Sequence, residues 1–251
     1  MILAHDIDGD GPAVLLLHSG VCDRRMWEPQ VPALARTHRV VRPDLRGFGD
    51  SPMPGEAYAD ADDLVALLDS LGVAEAAVVG SSYGGRVAME LATKHPGRVS
   101  SLVLLCPAHR GVDPDEELQA FGAEEDRLLE AGDVEGAVQL NVRTFLGPDG
   151  DEATAERIAQ MQRRAFEVQL AADALDPGPQ PERVEFDPSR LAVPTLVVSG
   201  ALDLAHFREV AAVLAAQVPG AEHVELPWAG HLPSLERPDA VADLLHEALR
   251  R

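Results

Sequence analysis

The sequence predicts an α/β fold: a mostly parallel central sheet with helices on both faces, interrupted by a helical insertion. Three observations predict it. Short apolar runs bounded by turn residues alternate with stretches of helical spacing, the pattern of buried parallel strands joined by crossover helices. Gly80-Ser81-Ser82-Tyr83-Gly84 joins one such run directly to one such helix. The alternation then stops over residues 107–187 and resumes after them.

The chain opens with a short strand and a Gly/Asp turn ending at Pro12. Ala13–Leu17 is a continuous apolar run and reads as a central parallel strand. Met26 to Ala35 carries Trp27, Val31 and Leu34 at helical spacing. Arg39–Arg42 is a strand that runs into the turn-rich segment Pro43–Pro52. Ala61–Leu71 is an amphipathic helix, with Leu64, Leu67, Leu68 and Leu71 on one stripe and Gly72 as its C-cap. Ala76–Val79 is a buried strand, the stripe of Val87, Met89 and Leu91 a helix, and Val99–Cys106 a further strand. Beyond the insertion come a strand at Pro194–Gly200, a helix at Phe207–Val218 and a strand at Glu222–Leu226. A loop over Pro227–Pro238 leads to a closing helix at Ala240–Leu249.

The insertion holds three helical stripes: Leu118, Phe121, Leu128 and Leu129; Val134, Val138, Val142 and Phe145; Ile158, Met161, Ala165 and Val168. Asp176–Pro181 has linker composition. The expected organisation is a core over residues 1–106, a helical lid over 107–187 and the rest of the core over 188–251. The lid leaves and rejoins the core at strand ends, so its apolar stripes are expected to lie over the carboxyl edge of the sheet. In open α/β sheets, that edge is where sites form.

Composition narrows the function classes. The 251 residues carry 42 Asp and Glu against 21 Lys and Arg, a net charge of −21. Such a surface repels nucleic acid and anionic membranes. Met1–Asp6 lacks the basic and apolar regions of a secretory leader, and no apolar run is long enough to span a bilayer. The expected compartment is the cytoplasm, with Cys22 and Cys106 as reduced thiols. No His/Asp/Glu cluster shows convincing metal-ligand spacing, and no metal or cofactor is expected.

The segment Gly80-x-Ser82-x-Gly84 matches a nucleophile elbow. A serine on a sharp strand-to-helix turn needs residues without Cβ on both sides. The turn exposes its hydroxyl and points the N–H of Tyr83 at a developing oxyanion. The plain alternative is an ordinary Gly/Ser-rich turn or a phosphate-binding one. A serine also needs an oriented base. Asp203 follows one late strand and His231 the next, giving the chain order Ser82, Asp203, His231 that accompanies such an elbow. Asp203 as a mere helix cap is the simpler reading of that position. The remaining histidines are expected on the surface or in loops. His18 is expected to brace its loop, Arg46 to pin loops together, Cys106 to pack, and His206 lies close to Asp203.

These pieces together resemble the α/β-hydrolase family. They are the elbow, His18-Ser19-Gly20, Asp44-x-Arg46-Gly47-x-Gly49-x-Ser51, Gly200-x-x-Asp203, and Gly230-His231 with Glu236-x-Pro238. The resemblance covers nearly the whole chain except residues 107–187, where this family inserts a helical lid. It implies Ser82 as nucleophile, His231 as general base and Asp203 as its orienting acid. The family usually has His-Gly-x in the oxyanion loop, whereas position 19 here is Ser. Gly20 is then the expected second donor beside Tyr83, or Val21 if the loop is shifted by one. The stretch Met26–Leu34 also resembles the 3-oxoadipate enol-lactonase branch and small-ester esterases.

The expected reaction is hydrolysis of a small carboxylic ester or lactone through an acyl-enzyme, by a monomer or homodimer. Ser19, Trp27, Phe121, Phe145, Met161 and Leu232 are the expected substrate-contacting residues, although core packing explains the apolar ones equally well. Three alternatives stand beside it: hydrolysis of a carbon–carbon bond in a ring-cleavage product, a haloperoxidase or perhydrolase side activity, and a non-catalytic receptor on the same scaffold.

Overall fold

In the computed structural model, residues 2–173 and 181–250 are described. Seven strands form one sheet: β1 (His5–Asp8), β2 (Ala13–Leu17), β3 (Arg39–Pro43), β4 (Ala76–Ser81), β5 (Val99–Leu105), β6 (Thr195–Gly200) and β7 (Glu222–Leu226). Their order across the sheet is β1-β3-β2-β4-β5-β6-β7. β1 runs antiparallel to β3, and every other pairing is parallel. The registers align the strand ends: Leu17 pairs with Gly80, Ser81 with Leu105, Leu105 with Val198, and Gly200 with Leu226. The loops after β2, β4, β5, β6 and β7 therefore open on one edge.

Side chains alternate across each strand, so the sheet has two apolar faces. Leu15, Leu17, Val78, Leu102, Leu104 and Val197 belong to one cluster. Helices α2 (Asp60–Ser70) and α3 (Tyr83–Lys94) cover that face. Val14, Leu16, Val79, Val103, Leu105 and Val198 belong to the other. There α1 (Val31–Leu34) contributes Leu34. The insertion joins this second cluster through three helices, α4 (Glu116–Glu130), α5 (Val134–Phe145) and α6 (Glu152–Asp173). Helix α7 (Ala205–Gln217) sends Val210 and Leu214 to the first cluster and Phe207 to the second. The chain closes with α8 (Pro233–Glu236) and α9 (Pro238–Ala248). No helix among the described residues is long and apolar enough to cross a membrane.

Two expectations are corrected. Met26 to Ala35 is not one helix. Arg24–Trp27 is a 3₁₀ turn capped by Asp23, and α1 is a separate four-residue helix. Pro29 lies between them, and a proline ring clashes with the preceding helical turn and removes a donor. The supposed loop at Pro227–Pro238 contains α8, with Pro233 in its first turn. Of the expected linker, Asp176–Gln180 lie outside the described residues, while Pro181 forms an isolated bridge with Tyr58.

The elbow depends on missing side chains. A Cβ on Gly80 would sit 2.4 Å from the Gly84 carbonyl oxygen, and one on Gly84 would sit 2.4 Å from that of Leu17. Nothing lies within 4 Å of a Cβ on Gly97. Gly84→Ala is therefore expected to destabilise by about 2–3 kcal/mol, while Gly97→Ala stays within about 0.5 kcal/mol of the parent. Urea unfolding checks this, and equal losses in the two variants would refute the close approach.

Candidate active site

Ser82 follows β4 at φ 51° and ψ −112°. A serine stays in that region only when its surroundings hold it there. Its N–H donates to Leu105 O at 2.9 Å, and its carbonyl accepts from Ala108 N–H at 3.0 Å. Helix α3 begins at the next residue, so the N–H groups of its first turn gather beside Ser82.

The β2 loop reaches the same place. Gly84 N–H donates to His18 O at 3.1 Å, and a Cβ on Gly20 would lie 3.4 Å from Tyr83 Cβ. Gly20 and Tyr83, both expected as oxyanion donors, are thus neighbours. Val21 is buried one residue further along the turn that Cys22 N–H closes on Ser19 O. Ser19 is buried, and its N–H donates to the Met26 sulfur at 3.2 Å.

His18 is wholly buried. Leu45 N–H donates to its Nε2 at 3.0 Å, and its Nδ1 lies 2.8 Å from Ser19 O. One nitrogen accepts, so the other carries the proton and donates, which defines a neutral ring. Burial pushes its pKa down in the same sense. His18 therefore ties the β2 loop to the β3 loop. Asp44 tightens the β3 loop by accepting from Arg24 N–H at 2.9 Å and Asp50 N–H at 2.8 Å. Arg46 grips Asp63 of α2 through Nε at 2.8 Å and Nη2 at 2.7 Å.

Past β6 and β7, His231 Nδ1 lies 2.9 and 3.0 Å from the two Asp203 carboxylate oxygens. Both side chains are almost completely buried. A carboxylate only accepts, so Nδ1 carries the proton, and in the neutral ring Nε2 then keeps its lone pair. Asp203 also accepts from Leu204 N–H at 2.7 Å, so it holds a helix start and the imidazole together. Glu236 accepts from Gly230 N–H at 2.8 Å and Leu232 N–H at 3.0 Å, clamping the backbone on either side of His231. Burial pushes the Glu236 pKa up, and those two bonds oppose the shift.

The insertion touches this loop. A Cβ on Gly230 would sit 2.6 Å from Gly147 Cα, just past α5. The Phe145 ring centre is 5.0 Å from that of His231, and Phe121 meets Phe145 edge-on at 5.0 Å. Trp27, Met161 and Leu232 are fully buried in the same apolar cluster as Phe145, whereas Phe121 is half-buried.

Several neighbours escape sequence reasoning. The Phe207 ring packs 4.0 Å from His231; its signal is its place four residues after Asp203, at a helix start. Met26 has no sequence signal as a sulfur acceptor. His38 lies in a loop, as expected, but is buried, and His206 is buried in α7, edge-on to Phe207 at 5.2 Å. Cys106 has φ 44°, and its thiol lies 3.6 Å from Gly230 O. Its sulfur and ligand atoms of Asp203 and His231 lie within 4.8 Å of one another. Burial pushes the thiol pKa well up, which favours the protonated donor over a thiolate ligand.

This arrangement has close relatives. A family model for the alpha/beta hydrolase family matches residues 14–244. A 2-hydroxymuconate semialdehyde hydrolase of Pseudomonas sp. strain CF600 is 36% identical over 139 residues, 50% of this chain and 49% of the relative. A pimeloyl-[acyl-carrier protein] methyl ester esterase of Aeromonas hydrophila is 30% identical, over 94% of this chain and 95% of the relative. Among solved structures, the enol-lactonase of Burkholderia xenovorans LB400 superposes with a TM-score of 0.80 at 27% identity, over 99% of this chain and 96% of that one. The chain belongs to the alpha/beta hydrolase family.

Proposed function

We propose that the protein is a serine hydrolase of small carboxylic esters or lactones. The observation that carries this reading is the buried His231–Asp203 pair at the sheet edge where the Ser82 elbow also emerges. In the reaction, Ser82 Oγ attacks the carbonyl carbon while His231 Nε2 takes its proton. Asp203 holds Nδ1–H and offsets the imidazolium charge. The carbonyl oxygen becomes an anion, and the N–H groups of Tyr83 and Gly20 receive it. The protonated imidazole then gives its proton to the leaving alcohol. Water, deprotonated by His231, attacks the acyl-enzyme and frees the acid and Ser82.

The helical insertion acts as a lid that sets substrate choice. Phe121 and Phe145 support this role, since Phe145 packs on His231 and Phe121 packs on Phe145. The likeness to a 2-hydroxymuconate semialdehyde hydrolase supports a second reading, hydrolysis of a carbon–carbon bond in a ring-cleavage product by the same triad.

A panel of p-nitrophenyl esters, lactones and ring-cleavage products separates the two readings. Ser82→Ala is expected to lower kcat for the best substrate by on the order of 10⁶. Asp203→Asn is expected to cost about 10⁴ by spoiling the imidazole tautomer. More than a few per cent of activity left in Ser82→Ala would refute the nucleophile. Phe121→Ala is expected to reorder acyl chain lengths, shifting discrimination by roughly 1–3 kcal/mol. A profile that only scales down would reduce the insertion to packing.

A further inference from the structure

A cavity of about 240 Å³ opens between α3, the loop at His109–Gly111 and the segment Arg183–Phe186. Its lining includes none of Ser82, Asp203 or His231. Three arginines converge on it, Arg86, Arg110 and Arg183. The chain has two carboxylates for every cation, and most of its arginines are matched: Arg24, Arg25, Arg42, Arg46 and Arg98 all hold an aspartate. Arg110 and Arg183 hold no carboxylate within 4 Å among the described residues. Arg86 reaches only Glu90, at 3.5 Å, and its buried Nε makes no hydrogen bond among those residues.

The carboxylates in the lining are Glu90 and Glu185. Glu185 is exposed, whereas Glu90 is buried beside Arg86. Burial pushes the Glu90 pKa up, against the lowering pull of Arg86 and Arg110. The remaining wall is apolar and aromatic. Met89 is almost fully buried, and the His109 and Phe186 rings meet edge-on at 5.2 Å. Burial pushes the His109 pKa down, which favours the neutral ring. The overall charge of −21 does not forbid an anion here, because exposed charges beyond a Debye length of about 8–10 Å are largely screened.

We propose that this cavity binds a small organic carboxylate with a planar apolar body. Guanidinium groups match a carboxylate with paired N–H donors. The aromatic wall takes the body. The volume lies below the roughly 300–1,000 Å³ of pockets for larger ligands, which limits the guest to a single small ring or short chain. Arg86 links the cavity to the elbow: its guanidinium stacks 4.4 Å above the Tyr83 ring, and the Tyr83 hydroxyl donates to Asp60 at 2.7 Å. A guest that engages Arg86 therefore acts on the residue next to Ser82.

Calorimetric titration of the whole protein with sodium benzoate, acetate and inorganic phosphate tests the site. Benzoate is expected to bind at one site per chain with a Kd on the order of 1 mM, more tightly than acetate or phosphate. Arg110→Ala/Arg183→Ala is expected to weaken benzoate at least about ten-fold, because it removes two of three cations, while Arg110→Lys/Arg183→Lys keeps most of the binding. Both side chains are exposed, so neither double variant threatens the fold. Benzoate binding that is absent, or untouched by the alanine variant, would overturn the site. Phosphate binding as tightly as benzoate would overturn the organic class. None of these outcomes bears on ester hydrolysis at Ser82.

Discussion

The structure turns on a serine held at φ 51°. Such a backbone costs on the order of 1–3 kcal/mol and survives only where its neighbours over-determine it. They do so here from both sides of the sheet edge. Leu105 O and Ala108 N–H fix the serine itself, and His18 O fixes Gly84 two residues on. Leu17 and Gly80 share a register, so β2 and β4 end together and Gly84 can rest against the Leu17 carbonyl. The glycines are conditions for bringing the two strand ends close enough to hold the turn.

Buried polar groups hold the remaining loops together. His18 joins two loops as a neutral ring, Asp44 gathers the N–H groups of Arg24 and Asp50 from two separate segments, and Glu236 clamps the residues that flank His231. An unsatisfied buried group of this kind costs roughly 1–3 kcal/mol, so each contact resists loosening. The result is a set of pre-positioned donors and acceptors at one edge, and such preorganisation is what acyl-transfer chemistry requires. The insertion adds to it directly: Gly147 abuts Gly230, and Phe145 lies on the His231 ring. The insertion is therefore packed directly against the His231 loop.

Sequence patterns reach the fold and these loops because local physics writes them in plain form. A four- to seven-residue apolar run can hardly be anything but a strand between helical stripes, and β2, β4, β5 and β6 all fall where such runs predict. Ser82, Asp203 and His231 are legible because each follows a strand. What fails is what depends on distant partners. Prolines break the stretch at Met26–Ala35, whose apolar spacing alone suggests one helix. The Met26 sulfur, the Phe207 ring and the burial of His38 and His206 come from elements far apart in sequence. No period or motif encodes them.

The central claim is that Ser82 is the nucleophile. Its direct measurement is mass spectrometry after incubation with a p-nitrophenyl alkylphosphonate, which traps an activated serine as a stable adduct. The account predicts one phosphonyl group per chain, on the peptide carrying Ser82, formed far more slowly in a His231→Ala variant. An adduct on any other residue, Cys106 included, or equal labelling without His231, would contradict it.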